Sequence, residues 1–536
     1  MSQDDFPTAG DSRDQIPESG PGSAPVSGPG SAPVSAAPRP PRPPGAAPGP
    51  RVTRLAVIAV VVAVLALSAF ADRASKGGPT AVAVTAQPVA APGAALSSSW
   101  FCAGPVASPA HLADGRLVIA NAANRPLRGK VTLISSSGTP VTQDVQVEPA
   151  DRVVIAEKTA AAAPYLGAVV ELDGGQAAVE QVVTGSAGTS STACATSGST
   201  HWYFAAGTTQ ESSTLSISLL NPFPDDAIVD LSFSTEQGQE NPQDFQGIVI
   251  PAGTMVGFDL GTHLRRRASV ATTVSLRVGR VAAFETQTVQ AMSQAAAATI
   301  PAGTVPWPPG VSVARGTPSA GTSWWWPSGG ASDGTTEQYV VFNPGDTEAQ
   351  LSLAVDLDQG SADPFQVTVD PHAVAVVATN SESRIPKGVG HGAELRSTNG
   401  VGVVATRLVL SVAPAGQTGV AEVLGSRLQA GRWLVPGDGA TDSVSPAVVV
   451  YNPGSATVTV SVSSLSGSLT PLDGQSAVVV PGHHRYVLAP TAPGAGLPAA
   501  GPLMIVAQGR GQVVVEGDSS PAKGIGMDAA IGVPLP

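Results

Sequence analysis

The chain has 536 residues, a formal net charge of −12 at pH 7, and only 4% aromatic residues. This length permits several domains, and cores with so few aromatic side chains must be built from Val, Ala and Leu. Residues 72–536 hold 23 basic and 35 acidic side chains, which argues against nucleic-acid binding because that function requires a basic face.

The first 50 residues show no apolar periodicity. The octapeptide GPGSAPVS occurs twice in succession, at 20–27 and 28–35, and a proline-rich run follows it. Such a segment cannot bury enough apolar surface to offset its chain entropy. We therefore predict that residues 1–50 are a disordered, Pro/Gly/Ser-rich cytoplasmic tail.

An uncharged apolar segment of 17 residues follows at 55–71. Its length is at the lower end of the span of about 17–25 residues that crosses a bilayer as a helix. Four arginines lie before it, which places the N-terminus in the cytoplasm: Arg39, Arg42, Arg51 and Arg54. We predict a transmembrane signal anchor at 51–72, a single-pass topology, and an extracytoplasmic C-terminal bulk. The alternative is secretion after cleavage at Ala71, where small residues fit a cleavage site.

One sequence pattern recurs four times: an apolar run, an Asn-Pro turn, and an alternating run. Its asparagines are Asn121, Asn221, Asn343 and Asn452, and Ala122 replaces the proline in the first copy. A tryptophan precedes each asparagine by 18 to 21 residues: Trp100, Trp202, Trp324 or Trp325, and Trp433. A glycine and an apolar strand follow each asparagine and end 59 to 64 residues after it, at Glu180, Glu285, Thr406 and Glu516. A period of about 100 residues indicates whole domains, since solenoid repeats span about 20 to 50.

Within each copy, Val, Ile, Leu and Thr alternate with small polar residues, which buries one face of a strand and exposes the other. Proline after asparagine belongs at a strand end or turn, and asparagine favours the same corner because its side chain bonds nearby backbone. We predict an all-β chain of four tandem immunoglobulin-like β-sandwich repeats after one N-terminal transmembrane helix, with the four asparagines as structural corners. The predicted segments are a stalk at 73–99, repeat 1 at 100–195, repeat 2 at 196–295, a linker at 296–323, repeat 3 at 324–425 and repeat 4 at 426–536.

Cys102 and Cys194 are the only cysteines, and they bracket the first repeat. In an oxidising compartment a disulfide is the default state of such a pair. Two distant thiols supply too few ligands for zinc. We therefore predict a Cys102–Cys194 disulfide.

The remaining residues give few signs of chemistry. Trp324, Trp325 and Trp326 are consecutive, and exposed aromatic rings mark binding surfaces, so they are the candidate ligand platform. Glu180, Glu285 and Glu516 share one repeat position, which indicates an architectural role over paired-carboxylate catalysis. The match Gly330-Ala331-Ser332-Asp333-Gly334 lacks the strand and helix of a nucleophile elbow. We predict no catalytic residue, no metal site and no cofactor.

With its anchor and four Trp…Asn-Pro…Gly-Val-Val-Val-Glu units, the chain resembles an actinobacterial family of membrane-anchored or secreted proteins of unknown function. The resemblance covers about residues 50–536 and implies an envelope-facing protein near the cell-wall machinery. The first unit lacks the proline and the third lacks the glutamate.

Two functions from different classes follow. The preferred one is a non-catalytic extracytoplasmic scaffold that is held by one membrane helix and binds an envelope protein or a cell-wall polysaccharide. The alternative is a glycan-active enzyme with an unrecognised interdomain site. Acidic residues clustered in a deep cleft favour the enzyme, whereas flat sandwich faces with surface tryptophans favour binding.

Overall fold

A computed structural model describes residues 86–105, 114–136, 139–157, 165–293, 305–330, 332–412, 417–437, 444–489, 501–521 and 524–536. The predicted tail at 1–50 and the predicted anchor at 51–72 lie outside these ranges. Among the residues that are described, no helix combines the length and the apolar character needed to cross a membrane.

The prediction of an all-β chain is confirmed, because the described residues form strands and three single-turn 3-10 helices, at Gln243–Phe245, Leu260–Thr262 and Thr379–Ser381. The first eight strands are β1 (Ser98–Pro105), β2 (Asp114–Asn121), β3 (Leu127–Ser135), β4 (Val141–Val147), β5 (Asp151–Ala156), β6 (Tyr165–Leu172), β7 (Ala177–Gly185) and β8 (Gly188–Ala193). The next nine are β9 (His201–Phe204), β10 (Ser213–Asn221), β11 (Ala227–Thr235), β12 (Gly238–Glu240), β13 (Ile248–Ile250), β14 (Thr254–Asp259), β15 (Val270–Val278), β16 (Ala282–Val289) and β17 (Gly310–Arg315).

The second half of the chain repeats this series of strands. It begins with β18 (Ser323–Trp326), β19 (Thr335–Phe342), β20 (Ala349–Leu357), β21 (Phe365–Val369), β22 (Val374–Ala378), β23 (His391–Ser397), β24 (Val404–Val412) and β25 (Gln417–Leu424). It ends with β26 (Arg432–Val435), β27 (Val444–Asn452), β28 (Val458–Leu465), β29 (Leu469–Pro471), β30 (Val478–Val480), β31 (His484–Leu488), β32 (Leu503–Ala507), β33 (Val514–Pro521), β34 (Gly524–Ile525), β35 (Asp528–Ile531) and β36 (Val533–Pro534).

One sheet topology occurs four times along the chain. The first eight strands form two sheets, with the orders β1-β6-β3-β4 and β5-β2-β7-β8. The same orders recur as β9-β15-β11-β12 with β14-β10-β16-β17, as β18-β23-β20-β21 with β22-β19-β24-β25, and as β26-β32-β28-β29 with β31-β27-β33-β35. We call these the first to fourth sheet pairs. Their assignment to the immunoglobulin-like class stays a prediction.

The two sheets of each pair share one apolar core. In the third pair, Trp324 and Leu351 from one sheet pack with Tyr339 and Ala405 from the other. Strand β20 alternates buried with half-buried or exposed positions along its whole length, as a strand with one covered face must. The alternation of apolar residues in the sequence therefore determines which face of each strand enters the core.

The four repeat asparagines make the same bonds. Each amide nitrogen donates to the carbonyl four residues ahead, at 2.8–2.9 Å, and to a carbonyl 26 to 29 residues ahead, at 3.0 Å. Each Oδ1 accepts the backbone N–H two residues ahead. All four asparagines are buried, so these bonds satisfy backbone groups that water does not reach.

The first sheet pair carries the predicted disulfide, which is confirmed. Cys102 lies on β1 and Cys194 directly follows β8, and the two Cα atoms are 4.8 Å apart. The bond therefore joins the two sheets of the pair and closes a sequence separation of 92 residues.

The last long strand of each pair lies at the centre of the described structure. Strand β8 packs on β17, β17 on β25, β25 on β35, and β35 on β8, which completes a closed circuit. Side-chain oxygens accept backbone N–H groups across three of these four contacts: Val313 N to Ser190 Oγ at 3.0 Å, Glu422 N to Ser312 Oγ at 3.2 Å, and Ser191 N to Asp528 Oδ1 at 2.6 Å. The four pairs are therefore connected to one another through this centre.

Two predicted segments need correction. The predicted linker at 296–323 contains β17, which is buried at every position because it is the inner edge strand of the second pair. The predicted stalk at 73–99 includes residues that lie against the sheet pairs: Gln87 and Ala90 are buried, and Ala90 N donates to Pro534 O at 3.0 Å. Ala90 therefore lies beside strand β36 of the C-terminal region.

Candidate functional site

A cleft of about 380 Å³ opens between the third and fourth sheet pairs. Its charged and hydroxyl lining comes from both pairs: Ser328, Thr335, Glu337, Arg407, Arg485, Asp518, Ser519, Ser520 and Asp528. The wall also includes apolar side chains: Val409, Ala421, Ala447, Val449, Val487, Met527 and Ala529. The volume lies within the range of about 300–1,000 Å³ that small-molecule sites occupy, so we take this cleft as the candidate site.

Behind the cleft, a carboxylate and an imidazole form a sealed pair. Glu337 on β19 and His391 on β23 are 3.0 Å apart between Oε2 and Nε2, and their side chains are 1% and 0% exposed. Thr379 donates to Glu337 Oε2 at 2.9 Å, and the Tyr339 hydroxyl lies 3.3 Å from His391 Nε2. Burial acts to raise the pKa of Glu337, but His391 and Arg407 outweigh it and hold that pKa below its ordinary value.

Arg407 links this pair to the fourth sheet pair. Its guanidinium donates to the carbonyl of Ser328 and to the carboxylate of Glu516 on β33, and its Nη1 lies 3.7 Å from Glu337 Oε1. Burial opposes the charge of Arg407, but Glu516, Asp518 and Glu337 around it raise its pKa overall. Burial, followed by the nearby Asp518, raises the pKa of Glu516, although Arg407 acts in the opposite direction.

A second set of polar contacts crosses the same boundary nearer to solvent. Arg485 donates twice to Asp358, from Nε to Oδ1 at 2.8 Å and from Nη2 to Oδ2 at 2.9 Å. The Tyr451 hydroxyl donates to Asp356 Oδ2 at 2.5 Å. These contacts orient the fourth pair against the third through fixed geometry, because a bidentate arginine pair permits little rotation.

Glycines let these side chains approach the backbone. A Cβ atom on Gly390 would lie 1.4 Å from Arg485 Nη2, and one on Gly392 would lie 2.6 Å from the Tyr451 ring. A Cβ on Gly329 would lie 2.4 Å from His391 Nε2. The glycine-rich stretch around His391 is therefore a packing surface for the boundary.

Three polar atoms of this network have no hydrogen-bond partner within the described part of the chain: Arg407 Nε, His391 Nδ1 and Asp518 Oδ1. Arg407 and Asp518 line the cleft. Buried polar atoms are nearly always satisfied by protein or by a bound molecule. All three atoms are buried, so they lie beneath the surface of the cleft.

The candidate tryptophan platform needs correction. Trp324 and Trp326 are fully buried, and their indole N–H groups donate to Val403 O at 3.1 Å and to Val423 O at 3.0 Å. Trp325 points to the other face of β18 and is half-buried against the core of the fourth pair. Alternation along a strand explains the split, and it leaves neither Trp324 nor Trp326 on a surface.

The repeated glutamates are all buried, and their surroundings differ. Glu516 binds Arg407, whereas neither carboxylate oxygen of Glu285 has a hydrogen-bond partner within the described residues. Burial raises the pKa of Glu285 and the neighbouring Glu422 raises it further. Burial also raises the pKa of Glu422 to about 8. The same repeat position therefore serves two purposes. Glu516 makes an ion pair between the third and fourth pairs, whereas Glu285 lies near a second carboxyl group, that of Glu422, between the second and third pairs.

Metal binding receives no support from the described residues, among which no group of three or more His, Cys, Asp or Glu side chains is placed to hold an ion. His483 and His484, the adjacent histidines of the sequence, lie at the surface, and His483 Nδ1 is 3.3 Å from Asp356 Oδ2. The sequence reading did not identify Glu337, His391, Arg407 or Asp518.

A family of unknown function (DUF5719) has a model that matches residues 154–381. The match reaches from the first sheet pair into the third and covers less than half of the chain. It agrees with the expected resemblance to a family of unknown function, and it carries no information on source or location.

No curated protein matches the chain. Among solved structures, it is similar to the crystal structure of the Streptomyces avermitilis α-L-rhamnosidase complexed with L-rhamnose, at 10% sequence identity and a TM-score of 0.11. The similarity covers 75% of this chain and 54% of that enzyme chain. A TM-score this low supports no conclusion about fold or function.

Proposed function

We propose that this protein is a non-catalytic extracytoplasmic scaffold of four immunoglobulin-like sheet pairs that binds an envelope protein or a cell-wall polysaccharide in the cleft between its third and fourth pairs. The observation that carries the proposal is the burial of the two groups that could act as acid and base, Glu337 and His391. Glu337 and His391 are within hydrogen-bond reach of each other, yet both are at most 1% exposed, so a substrate cannot reach either of them.

The proposed location is the cell membrane, with a single-pass anchor and a cytoplasmic N-terminus. The uncharged segment at 55–71 and the arginines before it support this topology. The disulfide supports an oxidising compartment for the sheet pairs. Mass spectrometry of the mature N-terminus tests the anchor, because a chain that starts at Asp72 has been cleaved after Ala71 and secreted.

One observation favours the alternative of a glycan-active enzyme. Asp518 and Asp528 line the cleft beside the buried Glu337, and paired carboxylates perform glycoside hydrolysis. Glu337 is held by His391 and Thr379, and Asp528 accepts from Ser191 at 2.8 Å. Carboxylates that are held by such contacts form a fixed wall of the cleft. A catalytic pair would instead have to exchange protons with a substrate.

Retention and hydrolysis are measured together to separate the two functions. Immobilised full-length chain is incubated with purified cell-wall polysaccharide and, separately, with solubilised envelope proteins. We expect one of these partners to be retained reproducibly, without new reducing ends in the polysaccharide. New reducing ends that disappear in Asp518→Asn would establish the enzyme instead, and retention of neither partner would refute the scaffold.

A further inference from the structure

One arginine at the centre of the described structure lacks a counter-charge. Arg315 lies on β17 and is only 7% exposed. Burial lowers its pKa to about 10, and no carboxyl group among the described residues acts on that pKa. The guanidinium therefore keeps its positive charge at neutral pH. Burying a charge is costly unless the charge is paired, so the surroundings of Arg315 favour an anion.

A small cavity provides the space for such an anion. Arg315 lines a cavity of about 40 Å³, and strands β8, β17, β25 and β35 all contribute to its wall, together with Gln87 and Pro88. One water molecule needs about 10–15 Å³ of such space. The cavity is therefore large enough for a small ion with a water molecule, and it is far below the size of a site for an organic ligand.

Arg315 also has donors left for an ion. Its Nη1 donates to Gly316 O at 2.6 Å, and no nitrogen of Arg315 is among the sealed atoms that lack a partner within the described ranges. The guanidinium nitrogens that do not bind the protein therefore keep accessible surface. The hydroxyl of Thr192, another lining residue, accepts from Arg315 N at 3.4 Å. A hydroxyl group accepts and donates at once, so Thr192 can donate to the same ion.

Two carboxyl groups near the cavity do not neutralise Arg315. Glu422 lines the cavity, but burial raises its pKa to about 8, so it is mostly protonated at neutral pH. The group that raises the pKa of Glu285 together with burial is this same Glu422, and neither carboxyl acts on Arg315. Asp528 precedes the lining residues of β35 and accepts from Ser191 N and Oγ.

We propose that the central cavity binds a small monovalent anion, such as chloride, between the guanidinium of Arg315 and the hydroxyl of Thr192. The ion supplies the missing counter-charge and joins β17 of the second sheet pair to β8 of the first. This site goes beyond the proposed function and does not depend on it.

Chloride and gluconate separate a bound ion from general effects of salt, because gluconate is too large for a cavity of about 40 Å³. Urea unfolding of the full-length chain is measured in the two sodium salts at equal ionic strength and about pH 6, where Glu422 is protonated. An ion that binds only the folded chain stabilises it, so chloride at ten times its dissociation constant should lower the unfolding constant about tenfold. Equal unfolding in the two salts would overturn the proposal.

A matched pair of variants locates the ion. Arg315→Met removes the buried guanidinium, and Arg277→Met makes the same change at an exposed ion pair with Asp230. We expect the chloride effect to disappear in Arg315→Met and to persist in Arg277→Met. A chloride effect that persists in Arg315→Met would indicate an adventitious ion only, bound elsewhere, and would refute the site.

A second pair keeps the test decisive if Arg315→Met does not fold. Thr192→Val removes the hydroxyl from the cavity, and Thr189→Val makes the same change at a half-buried residue of β8 that is not part of the lining. Broadening of the chlorine NMR signal by the folded chain measures chloride binding. We expect Thr192→Val to weaken binding about tenfold, as for a hydrogen bond to a charged group, and Thr189→Val to leave it unchanged. Equal binding by these two variants would contradict the assignment.

Discussion

The boundary between the first and second sheet pairs differs in chemistry from the boundary between the third and fourth. At the first, Phe101 and Ile134 of one pair pack into the apolar core of the next, and the rings of Phe101 and Phe223 lie 5.8 Å apart. At the second, Arg407, Glu516, Asp358 and Arg485 make ion pairs around an open cleft. Both boundaries join sheet pairs of one topology.

Glycine serves both boundaries in the same way. A Cβ atom on Gly257 would lie 2.5 Å from the Tyr165 ring, as one on Gly392 would lie 2.6 Å from the Tyr451 ring. At both boundaries a tyrosine ring packs against a glycine, so the two boundaries differ in the side chains around that contact. The apolar boundary excludes water from its contact surface, whereas the charged boundary borders an open cleft.

The largest expected effect comes from removing the central cation of the charged boundary. Arg407→Met leaves Glu337 and Glu516 buried without their shared partner, which costs about 3–5 kcal/mol of unfolding free energy. Urea denaturation measures it. The double variant Arg407→Met with Glu516→Gln should recover most of the loss, and Arg277→Met, at an exposed ion pair, should show no measurable change. Equal stability of Arg407→Met and the parent chain would show that the boundary does not depend on this charge.

The apolar boundary has its own test in Leu220, which is fully buried and faces Gly167 of the first pair. Leu220→Ala should cost about 2–5 kcal/mol, because a buried leucine loses its transfer energy and leaves a cavity. This loss should not change between low and high salt, because the contacts that it removes are apolar. A salt dependence for Leu220→Ala would contradict the description of this boundary as apolar.

The contact between the second and third pairs places Glu285 near Glu422, with no cation among the groups that affect either carboxyl. The pKa of Glu422 is raised from 4.5 to about 8. Between these values the unfolded chain has released the proton that the folded chain keeps, so the parent loses stability as the pH rises.

In Glu422→Gln, residue 422 has no proton to release between pH 4.5 and about pH 8. Its unfolding free energy relative to the parent should therefore increase with pH, by at most about 1.4 kcal/mol per pH unit, and should level off above the folded pKa. Urea denaturation from pH 5 to pH 9 measures the difference. A difference that stays constant over this range would show that Glu422 is not buried as a protonated acid.

The smallest expected effect concerns the outer contact of the charged boundary. Tyr451→Phe removes the hydroxyl that donates to Asp356 and keeps the ring packed on Gly392. The expected loss is about 1 kcal/mol, the usual net value of one hydrogen bond or slightly more because the acceptor is charged. A loss as large as that of Arg407→Met would mean that the outer contacts hold the boundary.

The features that could be predicted from the sequence are those whose contacts lie within a single repeat. The asparagine corners recur because each bonds backbone of its own sheet pair. The leading tryptophans of the last three pairs do the same: Trp202 donates to Val281 O at 2.8 Å, Trp324 to Val403 O at 3.1 Å and Trp433 to Val513 O at 3.0 Å. The disulfide followed from two cysteines that bracket one repeat. These features depend on short-range patterning, which a single sequence displays.

The features that the sequence analysis missed depend on contacts between repeats. Strand β17 falls within the predicted linker, although it completes a sheet of the second pair. Glu337, His391, Arg407 and Glu516 come from four strands and share no motif. One signal was present: only the third repeat has threonine in place of the glutamate, followed by an arginine, and only the fourth has an aspartate two residues after its glutamate. Comparing the repeats position by position would have identified Arg407 and Asp518.

Hydrogen–deuterium exchange of the full-length chain, with and without saturating cell-wall polysaccharide, tests most directly the claim that the charged boundary binds the ligand and the apolar boundary does not. We predict slower amide exchange in 328–337 and 514–521, which flank the cleft, and unchanged exchange in 101–105 and 217–223 at the first boundary. Slower exchange confined to the first boundary, or no change at either boundary, would contradict this assignment.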